Sequence, residues 1–261
     1  MAVLSISSAW EETKARIASD GRLLAIVAAA LIVLPQTVLG LAAQQMVATG
    51  SRAILIVFAL ALLIGLIAQV ALIRLSIDPA ATVGEAIGRG VKRMPAALGS
   101  FVIVLAGLFL FMIVITLVLG AAGLVPAPGA GHSPPAIVIG LLLVLAALIY
   151  AVFQLAVPVA AAESGGPIHL LARSWTLARS AYWRLLAFIV LIFIGLVFVL
   201  LAGQFGIGSI VVSLLGPADP WSLSALVIEL VIALIQASFT VVLAVMLARI
   251  YVQLAGARSG T

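Results

Sequence analysis

The sequence has no cysteine and very few charged residues. Of its 261 residues, 8% are Asp, Glu, Lys or Arg, and the two histidines are His132 and His169. The lack of cysteine excludes disulfides and thiolate-bound metals. The lack of charge excludes an ordinary soluble domain, because such domains carry about 25% charged residues. Hydrophobic residues make up 66% of the chain, so the sequence belongs to the class of polytopic membrane proteins.

Long apolar segments divide the chain at regular intervals. Each reaches the ~20 residues that a helix needs to cross the hydrocarbon layer, and Glu229 is the one charged residue within them. We therefore predict an all-α membrane protein with a single integral domain over residues 1–261. The predicted spans cover about residues 23–47, 53–73, 96–125, 136–162, 185–215 and 222–248.

The basic residues are distributed unevenly between the two sides that these six spans define. Twelve of the 13 Lys and Arg residues lie in the N-terminal segment, the second and fourth loops and the C-terminal end, whereas Arg52 is alone on the other side. Cytoplasmic loops carry the excess of bases, so we predict a multi-pass protein of the cell inner (plasma) membrane with both termini in the cytoplasm. Because the bases are spread over four segments, we expect no nucleic-acid binding.

Three short segments on the predicted cytoplasmic side have amphipathic helical periodicity, at about residues 8–20, 82–94 and 167–182. In the second, Thr82 and Glu85 form a capping-box pattern and Pro95 is expected to end the helix. Such helices lie in the membrane interface, and they either anchor the spans or offer a docking surface for anionic lipid or a partner protein. The candidate surface residues are Arg89, Lys92, Arg93, Arg173, Arg179, Trp175 and Trp183.

The order of span, acidic residue, amphipathic helix and span occurs twice. Asp78-Pro79 precedes GEAIGRGVKRMP, and Glu163 precedes GGPIHLLARSWTLARSAYWRLL. These stretches resemble the membrane domain of some bacterial glycerophosphodiester phosphodiesterases and the related free-standing six-span inner-membrane proteins. The resemblance implies a membrane anchor or lipid-associated protein. In that family the hydrolytic chemistry resides in a fused soluble domain, which is not among these 261 residues, so we expect no phosphodiesterase activity.

The spans lack the residues that intramembrane catalysis requires. They contain no histidine and no aspartate, and we expect no catalytic residues, no metal and no cofactor. An ionisable residue within a span marks a functional site by default. We therefore predict an intramembrane polar site formed by Glu229, Gln236, Gln36 and Gln204. The site either forms a polar path or binds a cationic ligand or headgroup, or it is a protonated or hydrogen-bonded glutamic acid that joins the sixth span to the bundle.

These patterns favour a non-enzymatic, structural or lipid-associated role. Such a protein organises the membrane, or anchors and assists a partner in lipid metabolism. Its expected partners are membrane phospholipids, with another membrane or cytoplasmic protein as a second kind. The alternative is a permease-like transporter component that works with a separate energising subunit.

Overall fold

The computed structural model describes residues 5–121, 148 and 153–259, and every regular element in that part of the chain is helical. Two π-helical turns, Ala29–Val33 and Gly203–Ile207, interrupt the α-helices. The helices are α1 (Ile6–Ala28), α2 (Leu34–Thr49), α3 (Ile54–Ile77), α4 (Val83–Ala121), α5 (Ala156–Ala162), α6 (Pro167–Ala178), α7 (Tyr182–Ala202), α8 (Gly208–Leu215) and α9 (Leu223–Ser259).

The first π turn joins α1 and α2 into one continuous helical segment. Pro35 follows this turn, and proline has no N–H to donate and a ring that clashes with the carbonyl of residue i−4, here Leu31. The wider turn accommodates both effects within the helix. The segment ends at Gly50, whose left-handed φ of 64° allows the N–H of Ser51 to reach the carbonyl of Met46 at 2.9 Å.

The amphipathic segments at 8–20 and 82–94 are not separate helices. The first lies within α1, and the second begins α4, which continues through Pro95 as a 39-residue helix. The prediction that Pro95 ends this helix is therefore wrong. The predicted capping box is confirmed, because the N–H of Thr82 donates to Glu85 Oε2 at 2.9 Å and the N–H of Glu85 donates to Thr82 Oγ1 at 3.3 Å.

The third amphipathic segment does form a helix of its own. The α6 helix begins at Pro167 and ends at Ala178, and a short turn separates it from α7. Tyr182, the last residue of the predicted segment 167–182, thus belongs to α7.

Five helical segments in the described part of the chain are long and apolar enough to cross a membrane: Ile6–Thr49, Ile54–Ile77, Val83–Ala121, Tyr182–Leu215 and Leu223–Gly256. They correspond to the predicted spans except 136–162, most of which lies outside the described residues. We call the side where α2 ends and α9 begins the distal side, and the side where α3 and α5 end the proximal side.

The helices α3 and α9 are the centre of the bundle. The α3 helix contacts α1, α2, α4, α5 and α9, while α9 contacts α1, α2, α3, α5, α6, α7 and α8. Buried residues concentrate in their proximal halves, at 68–76 and 244–251. Towards the distal side, α4 and α7 instead expose large apolar side chains such as Phe109 (67% exposed) and Phe198 (75%), which suits helices surrounded by lipid tails.

The close approach of α3 and α4 depends on a glycine. A Cβ added at Gly90 would lie 2.8 Å from the carbonyl oxygen of Ile67, whereas one at Gly88 would meet nothing within 4 Å. We expect Gly90→Ala to lower the free energy of unfolding by about 1–3 kcal/mol, the cost of overpacking. The control Gly88→Ala should raise it by about 0.5–1 kcal/mol through helix propensity. Thermal melting of the purified variants measures both, and equal melting of the two would contradict this packing.

Candidate functional site

The C-terminus of α3 receives arginine side chains from two neighbouring helices. Arg16 of α1 donates through Nη2 to the carbonyl of Leu75 at 2.8 Å, and Arg249 of α9 donates to that of Ser76 at 2.9 Å. The last four carbonyls of a helix have no partner within it, and a cation at this end also opposes the helix dipole. The two guanidinium groups therefore cap α3 and join it to α1 and α9.

The C-terminus of α5 is held in the same way, by α4. Arg89 donates through Nη2 to the carbonyls of Ala162 at 3.1 Å and Glu163 at 3.2 Å. Arg93, one helical turn later, reaches the carbonyls of Ala160 at 3.4 Å and Gly165 at 3.3 Å and also donates to that of Glu163. One pair of arginines thus supplies donors to the end of α5 and to the loop that follows it.

An acidic residue after each of these helix ends pairs with another arginine. Asp78 lies 2.8 Å from Arg74, and Glu163 Oε1 lies 2.9 Å from Arg173 Nε. The hydroxyl of Tyr251 on α9 also donates to Glu163 Oε1 at 2.9 Å. We call the capped ends of α3 and α5, with these ion pairs, the proximal arginine network.

The residues predicted to form a lipid or partner surface therefore fall into two groups, one bonded within the bundle and one exposed. Arg89, Arg93 and Arg173 are partly buried and bonded within the arginine network. The other candidates are exposed, namely Lys92, Arg179, Trp175 and Trp183. The network residues Arg16 and Arg249 are not among the candidate residues. Their acceptors on α3 are distant in sequence, so no local pattern identifies these two arginines as caps.

In the structure, the hydrogen-bond partner of Glu229 is a glutamine outside the predicted set. Glu229 Oε1 accepts a hydrogen bond from Gln44 Nε2 at 2.6 Å, and Gln44 is not one of the predicted site residues. Gln204 lies exposed in the second π turn. Gln36 is partly buried, and its Oε1 has no hydrogen-bond partner in the described part of the chain. Gln236 is partly buried, two turns from Glu229 on α9.

The Glu229 carboxyl group also lies directly against the backbone of α2. A Cβ at Gly40 would be 2.5 Å from Oε2 and 2.9 Å from Cδ. Glycine at this position therefore leaves the space that the carboxyl group occupies. Gln36, Gly40 and Gln44 follow one another at four-residue steps, which places them on one face of α2.

The described residues offer no cluster typical of a metal centre. Among them, no group of three or more His, Cys, Asp or Glu side chains is placed to hold a metal ion. Three acidic side chains bond to a residue of another helix in this part of the chain: Glu12 with Gln253, Glu163 with Arg173 and Tyr251, and Glu229 with Gln44.

Together these features define the class of the protein: a helical, multi-span membrane protein whose helix ends on one side are held by arginines. Residues 5–254 match the family described as a domain of unknown function, DUF7847, and the chain belongs to that family. No curated protein and no solved structure matches the chain.

The arginine network predicts different roles for two adjacent bases. Arg93→Gln removes a guanidinium that serves three carbonyls, and we expect the free energy of unfolding to fall by about 1.5–3 kcal/mol, the scale of hydrogen bonds to charged groups. The neighbouring variant Lys92→Gln changes an exposed side chain and should alter stability by less than about 0.5 kcal/mol. Thermal melting in detergent compares the two, and a wild-type melting temperature for Arg93→Gln would rule out a capping role.

Proposed function

We propose that this protein is a non-enzymatic, lipid-associated component of the membrane, and that α6 is the element that engages lipid. In this role it organises the surrounding bilayer, or anchors and assists a partner in lipid metabolism. The observation that carries the proposal is the outward apolar face of α6. The capping-box segment and the N-terminal segment contribute less, because both are extensions of long helices.

The two faces of α6 differ from those of an ordinary surface helix. Leu170, Ser174 and Leu177 are buried against the bundle. On the outward face, Ile168 is 75% exposed and Trp175 is 56% exposed, and a seven-residue step puts these two side chains almost in line. A short helix with apolar residues on both sides is suited to lie between a bundle and the acyl boundary of one leaflet.

Polar and aromatic side chains near this face fit the headgroup region. Lys92 and Arg179 are exposed and outside the arginine network, and Trp183 is exposed at the start of α7. A base near an anionic surface contributes about 1 kcal/mol to binding, and tryptophan prefers the membrane interface. The proposed ligand is therefore anionic phospholipid of the proximal leaflet.

The proposed location is the inner membrane, with the proximal side in the cytoplasm. The bias of basic residues supports this orientation. The family match assigns no function, so the resemblance to the membrane domain of glycerophosphodiester phosphodiesterases remains a second argument for lipid association.

Spin labels test the proposed position of α6. The chain has no cysteine, so Ile168→Cys, Trp175→Cys and the control His169→Cys each carry one label. His169 is also exposed, but it lies about 100° from Ile168 around the helix. In nanodiscs containing anionic lipid, labels at 168 and 175 should be more accessible to oxygen than to a water-soluble nickel complex. The label at 169 should show the reverse preference.

The same three labels can also contradict the proposed position of α6. If all three positions are equally accessible to the nickel complex, α6 faces water and the lipid proposal fails. The double variant Lys92→Gln/Arg179→Gln should reduce the difference between anionic and neutral nanodiscs without changing the melting temperature.

Thiol labelling in sealed cells tests the proposed orientation. Ala218 and Ser180 are exposed and lie on the distal and proximal sides, respectively. An impermeant thiol reagent added outside should modify Ala218→Cys and leave Ser180→Cys unmodified until the membrane is opened. The reverse pattern would invert the proposed topology.

The alternative is a permease-like component that works with a separate energising subunit. The α4 helix begins level with the ends of α3 and α5, because Gly90 packs against Ile67 and Arg89 bonds to the end of α5, so this helix offers no projection towards a cytoplasmic subunit. A stoichiometric ATPase that co-purifies in native lipid would favour this alternative, and enriched anionic phospholipid without such a subunit would favour lipid association.

A further inference from the structure

The Glu229 carboxyl group lies in an apolar part of the bundle, and it forms no ion pair with any residue that the structure describes. The distal half of α9 packs against α2, α8 and both π turns. The sequence of these elements, residues 29–49 and 203–215, contains no charged residue, and neither do the first 20 residues of α3. The charged residues closest to this region along the chain are Arg52 and Asp219, both in distal loops.

A permanently ionised Glu229 would be costly in this position. From the described part of the chain, Glu229 accepts one neutral hydrogen bond, from Gln44, in place of the water that an exposed carboxylate would bind. The negative charge must therefore be neutralised by a cation that enters the site. Alkali ions need a shell of several oxygen ligands in place of water, whereas a proton needs one oxygen atom.

The geometry leaves one carboxyl oxygen for that proton. Oε1 already accepts from Gln44 Nε2, while Oε2 points to the space at Gly40. Oε2 is therefore the carboxyl oxygen that accepts no hydrogen bond from a described residue, and it can hold the proton. Four residues deeper on the same face of α2, the Gln36 amide has an Oε1 without a partner among the described residues.

The carboxyl group is also close to the distal surface. Glu229 is six residues from the start of α9 at Leu223, a distance of about 9 Å along the helix. Side chains of a helix tilt towards its N-terminus, which for α9 is the distal end. The Glu229 side chain is partly buried rather than fully enclosed.

We propose that Glu229 is a proton-binding site that exchanges with the distal aqueous side, with Gln44 as the residue that orients the carboxyl group. A proton from water binds Oε2 and leaves by the same route, so that no other bond is formed or broken. This property is independent of the lipid-binding role of α6 and concerns the opposite end of the molecule.

A hydrophobic carbodiimide tests the proposal, because this reagent adds to protonated carboxyl groups within membranes. The acid O–H adds across the carbodiimide to give an O-acylisourea, which rearranges to a stable N-acylurea without a leaving group. The full chain is reconstituted in sealed vesicles whose two sides are buffered separately, treated with dicyclohexylcarbodiimide, and analysed by peptide mass spectrometry. Glu229 should be modified, and the rate of its modification should fall when the pH on the distal side is raised and stay unchanged when only the pH on the proximal side is raised.

Matched variants make the result specific. Glu229→Gln should lose the adduct on its peptide, with melting temperature and elution volume confirming that the variant is folded. Gly40→Ala should slow the modification, because the added Cβ takes the place of Oε2, whereas Gly65→Ala has no neighbour within 4 Å and should react at the wild-type rate. Gln204→Leu, on an exposed side chain, should also leave the rate unchanged.

Three outcomes would overturn the proposal. One is a folded wild-type protein in which Glu229 is unmodified at every pH. Another is a rate that follows the pH of the proximal side or of neither side. The third is protection by Na⁺ or K⁺ at constant pH, which would assign the site to an alkali ion instead of a proton.

Discussion

The proximal half of the molecule depends on hydrogen-bond donors for the carbonyl groups at the ends of α3 and α5. Leu75 and Ser76 at the end of α3 are buried, so water cannot replace the missing helical partners. Arginine meets this need, since its long stem reaches from an adjacent helix and its guanidinium offers five donors while staying charged. The two caps therefore join α1, α4 and α9 to helix ends that would otherwise be unsatisfied.

This constraint gives the uneven distribution of basic residues a second physical meaning. Bases on one side orient a membrane protein during insertion, and several of them then hold the folded bundle together. Arg89 and Arg93 are examples, with guanidinium groups directed at the end of α5. The charge left for a lipid surface is smaller than the sequence suggests, and the apolar face of α6 becomes the stronger argument for lipid association.

Composition and local patterns predicted the helical membrane class and the capping box, because both depend on neighbouring residues. The continuity of α4 through Pro95 was not predictable in this way. Proline removes the hydrogen bond to the carbonyl of Val91, but both residues are exposed, and membrane helices tolerate such a loss. The arginine caps were not predictable from local patterns either, since Arg93 and its acceptors at 160–165 are about 70 residues apart.

The sequence analysis does not identify Gln44 as the partner of Glu229, because the apolar pattern alone does not fix the residue at which α2 ends. Gly50 adopts the left-handed conformation typical of a residue that follows a helix, and recognising it would have put the end of α2 at Thr49. Gln44 then lies five residues from that end, and Glu229 lies six residues from the start of the antiparallel α9. Equal depth alone does not bring two side chains together. The missing side chain at Gly40 completes the arrangement, because it allows the carboxyl group to approach α2 where the amide of Gln44 can orient it.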